Sequence, residues 1–366
     1  MLYVMIVFSI IAGIDKLLNN RLGLGVKFEE GYKAMGGLAL TIIGIYSLSP
    51  VIAKGLTPVL RPLAMLLHTD PSVFISSILA TDLGAYNTAF EIANDTLVGK
   101  FNGIILGSML GATISFTIPV AINTIDENDF SYFAKGALAG IITVPVGMFI
   151  SGLLMMVPLS DIIFNIIPVV LISVLIALGL IKAQDKMIKL FNVLGRIILI
   201  ISILGLLIST LDFTLDIKLI DGMISFEEGA ILVANITIVL SGALPLLYFI
   251  STKLHKHLHK ISDRHGLDAY SILGLLSSLA SCIPMLGVYG NMNKKGKVLN
   301  AAFAVSGAFT FGGQLGYISG VAPEFTNAFI LGKMAAGISS LLLAIVLMRF
   351  EEKTKEGIAY EGCGKN

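Results

Sequence analysis

Charge is scarce in this chain. Of its 366 residues only 13% are Asp, Glu, Lys or Arg, about half the share found in soluble domains, which excludes a single water-soluble core with a hydrated surface. Tryptophan is absent, and there are five histidines and two cysteines. Cys282 and Cys363 alone allow no disulfide framework, and Gly364 and Lys365 are not the aliphatic pair of a prenylation signal. Catalytic signatures are missing as well: no H-E-x-x-H, no nucleophile elbow, no paired-aspartate motif of a lipid transferase, no P-loop and no dinucleotide fingerprint. These absences speak against an enzyme and against ATP coupling within the chain, and no cofactor, metal or nucleic-acid partner is expected.

What is present is apolar sequence. Hydrophobic residues make up 55% of the chain and the mean hydropathy is +0.89, so the lipid bilayer is its solvent. Uncharged runs at 34–53, 101–125, 136–160, 162–181, 229–252 and 298–323 are each long enough to cross a hydrocarbon layer of roughly 30 Å as a helix. The basic residues gather between them. Lys16, Arg21, Lys27 and Lys33 follow the first span, Lys182, Lys186, Lys189 and Arg196 lie mid-chain, and Lys253, Lys256, Lys260, Arg264, Lys294, Lys295 and Lys297 come later. By the positive-inside rule these face the cytoplasm, which puts the N-terminus outside and the C-terminus inside. The first span lacks a basic n-region and a small-residue cleavage site and is read as retained. His255, His257, His259 and His265 could form a metal-binding tract; the spans hold no histidine, so the stretch is read as a basic cytoplasmic loop.

The chain repeats itself. Phe28-Glu29-Glu30-Gly31 returns as Phe226-Glu227-Glu228-Gly229 at an offset of 198, and Gly99-Lys100 returns as Gly296-Lys297 at 197. Thr113 matches Thr310, and Ala139-Gly140-Ile141 matches Ala336-Gly337-Ile338, also at 197. The expected spans are 2–19, 31–55, 100–124, 132–157, 162–183, 190–211, 228–252, 297–320 and 324–348, about nine full crossings. Two broken segments, about 72–98 and 270–293, are expected to be re-entrant hairpins, since Pro284 and a cluster of hydroxyls interrupt the second and Thr81-Asp82-Leu83-Gly84 the first. An odd number of crossings separates equivalent elements, so the fold expected is an all-α polytopic bundle of two inverted repeats, 1–185 and 186–350, with a cytoplasmic tail at 351–366.

Asp82 is the residue around which a function can be argued. A carboxylate at membrane depth costs on the order of several kcal/mol unless paired or wetted. It could cap the second half of its hairpin, or it could receive a cation. Glu91 and Lys333 are candidates for an ion pair or a gate. Ser108, Thr113, Ser306, Thr310 and Gln314 lie on uncharged spans and could hydrogen-bond a ligand without adding buried charge. Tyr86, Phe116 and Phe309 could attract a cation through their ring faces. The glycines near Thr113 and Thr310 read as close helix packing, and the repeated Phe-Glu-Glu-Gly as a helix start.

With these residues in view, the chain resembles the ethanolamine utilisation permease EutH family along nearly its full length. The resemblance is carried by F-E-E-G-Y-K-A-M-G from Phe28, T-D-L-G at Asp82, L-G-S-M-L-G-A-T from Leu106, A-G-I-I-T-V-P-V-G from Ala139, D-K-M-I from Asp185, I-P-M-L-G from Ile283 and G-K-V-L-N-A-A-F-A-V-S from Gly296. It implies facilitated passage of ethanolamine across a bacterial inner membrane; that ligand is largely protonated near neutral pH, so residue chemistry would put Asp82 on the ammonium and Thr113, Ser306, Thr310 or Gln314 on the hydroxyl, with a homo-oligomer left open. The sequence departs from the family's pattern at Ser281-Cys282, where two asparagines are expected, and at Gly313-Gln314, where an Asp-His pair is expected; Asp82 then carries the ammonium alone. Transport of another small cation or amine, or a non-transporting scaffold, are the competing readings.

Overall fold

The computed structural model describes the backbone of residues 2–363 and, within it, the side chains of all but 2, 180, 181, 184, 185, 254–265 and 351–363. Every regular element among these residues is helical. Helices α1 (Leu2–Leu17), α2 (Leu24–Lys33) and α3 (Met35–Leu67) lead into a short broken pair, α4 (Ser72–Ile78) and α5 (Ala85–Ile92). A continuous rod follows: α6 (Thr96–Phe101), π-helical turns over Asn102–Gly111 and Thr113–Thr117, and α7 (Ile118–Thr124). Then come α8 (Phe130–Leu154), α9 (Leu159–Lys182), α10 (Gln184–Leu215) and α11 (Phe226–His265). The last part holds a second broken pair, α12 (Ala269–Ser278) and α13 (Cys282–Gly287), then α14 (Lys294–Ser306), α15 (Gly313–Val321) and α16 (Thr326–Cys363).

Seven of the described helical segments are long and apolar enough to cross a membrane, and the protein is a multi-pass helical membrane protein. The two spans counted from sequence that fall short are α1, at 16 residues, and 297–320, which is interrupted between α14 and α15. The basic stretch read as a loop at 253–265 is the continuation of α11, its histidines lying outside the described side chains. The tail likewise continues α16 as far as Cys363, its last three residues lying outside the described ones.

The two broken pairs are tied off in the same way. Asp70 accepts the backbone N–H groups of Ser72 and Asn94, both at 2.9 Å. Asp268 accepts those of Ser271 at 2.8 Å and Asn293 at 2.6 Å. Each carboxylate thus draws together the residues on either side of its broken pair. Asn102 donates to Ser72 Oγ at 2.9 Å, and Asn300 to the Ser271 carbonyl at 2.9 Å, which fastens each broken pair to the helix that follows it.

Those following helices run antiparallel. Lys100, near the start of the rod 96–124, pairs with Glu324 beyond the end of α15 at 3.2 Å. Lys297, near the start of α14, pairs with Asp129 beyond the end of the rod at 2.6 Å. Helix packing repeats the exchange: Gly31 lies against Ser241, and Gly229 against Ile43, with both glycines and both partners separated by 198 positions.

The core forms where α8 packs on α14 and α16 and where α11 packs on α1, α2 and α15. Phe101, Phe133, Tyr289, Tyr317 and Phe329 are completely or almost completely buried there. The flanks of α9 and α10 leave Leu171, Leu175, Val193, Leu204 and Leu207 exposed. An apolar flank of this kind is what a helix facing acyl chains requires.

Candidate functional site

Four interruptions of helical backbone converge on one place. The α4 helix stops where Leu79 and Ala80 become extended, and the α12 helix stops before Ser281, which is extended and caps α13 by accepting the Ile283 N–H at 3.3 Å. Pro284 sits in the first turn of α13, where a missing donor has no consequence. The third interruption is the π-helical stretch around Gly111, and the fourth is the turn 307–312 between α14 and α15.

Backbone groups freed at one interruption are taken up at another, as they must be away from water. Ala80 donates to Ser115 Oγ at 3.1 Å. Phe309 donates to the Ser278 carbonyl at 2.9 Å, and Phe311 to that of Leu279 at 2.8 Å. Two glycines allow the approach: a Cβ on Gly111 would collide with the Leu79 carbonyl oxygen, and one on Gly312 with that of Ala280.

Where the interruptions meet lies a cavity of about 710 Å³. Asp82, Ser115, Phe116, Ser281, Phe309 and Gln314 line it, and α3, α10 and α11 close it through Thr41, Ser202 and Leu244 among others. Asp82 is the one charged side chain in the lining. Phe116 and Phe309 meet edge to face at 5.8 Å between ring centroids, so both rings border the space. An apolar chamber with few polar groups is the ordinary form of a small-molecule site.

Behind the cavity stands a buried lysine. Lys333 of α16 has no exposure; its Nζ donates to the Ser108 carbonyl at 2.6 Å and to Gln314 Oε1 at 2.7 Å, and lies 5.4 Å from the Phe329 ring centroid. Asp82 and Lys333 form no direct ion pair: the lysine's polar contacts are the Ser108 carbonyl and Gln314 Oε1.

Of the residues singled out from sequence, Asp82 and Gln314 line the cavity, together with both phenylalanines. Asp82 does not cap α5: that helix starts at Gly84 with no side-chain cap, which leaves the carboxylate to the cavity. Ser108, Thr113, Ser306 and Thr310 are buried and do not line it. Their hydroxyls donate to the carbonyls of Ile105, Met109, Ala302 and Gly307 in their own turns. Tyr86 reaches the Val321 carbonyl at 3.4 Å and packs on Tyr317. Glu91 is exposed and does not pair with Lys333. Ser115 and Ser281 are polar wall residues that the sequence did not single out as candidates; Ser281 sits in an expected broken segment, whereas Ser115 lies on the expected full crossing 100–124.

Membrane-length helices packed around a chamber with a lone carboxylate, walled by interrupted backbone, are the kind of site that membrane transporters build. The chain belongs to the family described as ethanolamine utilisation protein, EutH, which it matches over residues 1–347. It is 38% identical to a protein of Listeria monocytogenes serotype 1/2a (strain 10403S) named probable ethanolamine permease EutH, over 99% of this chain and 98% of the relative. A protein of the same name from Escherichia coli (strain K12) is 33% identical over 96% of both chains. The uncharacterized protein YxeR of Bacillus subtilis (strain 168) is 41% identical over 93% of this chain and 92% of its own length. No solved structure matches the chain.

Proposed function

We propose that this protein is an ethanolamine permease of the bacterial inner membrane, and that the substrate crosses as the ammonium ion through the chamber beside Asp82. Its near full-length relatives carry that name, and the chamber's composition supports it. A small amino alcohol cation needs one acceptor of full negative charge, a neutral partner for its oxygen, and apolar or aromatic walls. Asp82, Gln314 and the pair Phe116 and Phe309 supply these. The observation that carries the reading is the single carboxylate, held at a backbone break and left uncapped, in a chamber otherwise without charge.

The halves 1–185 and 186–350 form inverted repeats in this reading, and the segments 72–98 and 270–293 are re-entrant. The matching Asp70 and Asp268 ties, the antiparallel ion pairs of Lys100 and Lys297, and the exchanged contacts of Gly31 and Gly229 support it. The N-terminus then lies outside and the C-terminus in the cytoplasm.

Uptake of labelled ethanolamine into liposomes holding the purified protein tests the proposal, at acidic outside pH where leak of the neutral amine is least. Asp82→Asn is expected to reduce uptake by at least about tenfold, since a neutral amide replaces the charge-assisted acceptor. Undiminished uptake by that variant removes Asp82 from the pathway.

A further inference from the structure

Lys333 is the largest buried charge that the transport reading leaves without a task. It carries no substrate, because it lies behind Gln314, and it forms no direct ion pair with Asp82. What it does touch is informative. Lys333 Nζ donates to two acceptors, the Ser108 carbonyl at 2.6 Å and Gln314 Oε1 at 2.7 Å, so the amide oxygen is the atom that faces the lysine. The amide nitrogen is thereby turned the other way. Gln314 lines the cavity, and among the described residues its nitrogen meets no acceptor.

We infer that Lys333 is a positioning residue that sets the selectivity of the cavity: by holding Gln314 Oε1 it compels the amide to offer N–H donors to an oxygen on the substrate. This rests on the reading of the cavity as the amine site and deepens it. Asp82 accepts only; Gln314, so held, donates only. The pair reads a molecule from both ends, ammonium toward the carboxylate and oxygen toward the amide, and a second ammonium or a bare methyl fits the amide end badly. Without Lys333 the amide is free to turn over and present its oxygen, an acceptor that would take an ammonium and tolerate disorder in the bound pose. The Ser108 carbonyl, 2.6 Å from Lys333 on the other side, fixes the lysine itself.

The chemistry makes an unusual demand. A donor in the wall needs an acceptor on the substrate, so an ether oxygen should serve as well as a hydroxyl, while a carbon in its place should not. The probes are 2-methoxyethylamine and n-propylamine, used to compete with labelled ethanolamine for uptake into liposomes holding the full chain. In the unaltered protein n-propylamine should compete about 10- to 100-fold more weakly than 2-methoxyethylamine, the effect of leaving a buried donor without a partner.

In Lys333→Met that ratio should fall to within about threefold, since the amide can rearrange. In Gln314→Glu an oxygen still faces Lys333, but a second oxygen replaces the cavity-facing N–H groups. The ether, which cannot donate, should then fall about tenfold behind ethanolamine, which can. Both readouts are ratios within one preparation, so a reduced folded fraction cancels, and Gln314→Glu decides the matter should Lys333→Met not fold. An unaltered ratio in Lys333→Met, no loss of the ether in Gln314→Glu, or no discrimination by the parent protein overturns the inference. Loss of uptake in Asp82→Asn alongside any of these keeps the site and discards the role of Lys333, whereas normal uptake by Asp82→Asn discards the site.

Discussion

Lys297 and Asp129 form an ion pair at 2.6 Å with side chains only 11% and 14% exposed, and the pair joins the start of α14 to the connection between the end of the antiparallel rod and α8. The corresponding pair, Lys100 with Glu324, is longer at 3.2 Å and more exposed, at 26% and 50%. Solvent screens the second far more than the first. Lys297→Met is therefore expected to lower stability in detergent by about 2–4 kcal/mol, because it strands a partly buried carboxylate, and Lys100→Met by no more than about 1 kcal/mol. Denaturant titration of the two variants checks the difference. The reversed pair Lys297→Asp with Asp129→Lys should recover much of the loss.

Asp268 supplies a pH-dependent fastening. Burial alone would raise its carboxyl, but the N–H groups of Asn293 and Ser271 and the Ser271 hydroxyl outweigh it and hold the group below the usual aspartate value. A depressed native value means that the carboxylate's contribution is fully present above the unfolded-state value and is lost as pH falls through the native one. Asp268→Asn should therefore destabilise the protein by about 1–2 kcal/mol near neutral pH and flatten part of its acid-side decline. Unfolding temperature measured against pH in both proteins checks this.

Crowding at the breaks is sharp enough to test with a single methyl. Gly111→Ala and Gly312→Ala each push a Cβ into a carbonyl oxygen of the facing break, whereas Gly36 has open space around it. The first two are expected to cost about 1–3 kcal/mol of stability and to depress uptake. Gly36→Ala, on α3, should be neutral or stabilising by up to about 1 kcal/mol. Thermal unfolding and uptake of the three variants separate the effects.

Hydroxyls that donate to carbonyls of their own turns have little left for a substrate. Ser108→Ala and Thr310→Val are expected to leave the KM for ethanolamine within about twofold, since neither side chain reaches the cavity and each gives up only a modest net hydrogen bond. Phe309→Leu, by contrast, removes a ring face from the wall and should raise KM about 2- to 10-fold. Saturation curves for uptake distinguish these cases.

The seven long helices were legible because twenty uncharged residues have few other uses. The breaks at Asp82 and at Ser281-Cys282-Ile283-Pro284 were legible because a carboxylate and a proline are expensive in lipid unless the backbone is already open. The turn between Ser306 and Gly313 was missed although its glycines were noticed; glycines in an apolar run signal close packing as readily as a bend, and here Gly312 does both. The π-helical turns over Asn102–Gly111 left no trace, since they differ from an α-helix only in which carbonyl each N–H reaches. Ser108, Thr113, Ser306 and Thr310 read as site residues because composition cannot tell a hydroxyl satisfied by its own turn from one that faces a cavity. The sequence offers Glu91 as a partner for Lys333; the fold gives it Gln314 instead, a contact set by how α15 and α16 meet.

The bonds from Phe309 and Phe311 to the carbonyls of Ser278 and Leu279 stitch two unwound stretches into a miniature ladder. Straightening either stretch alone would strand these groups in an oily interior. A change in which side of the membrane sees the chamber would thus have to carry that ladder intact.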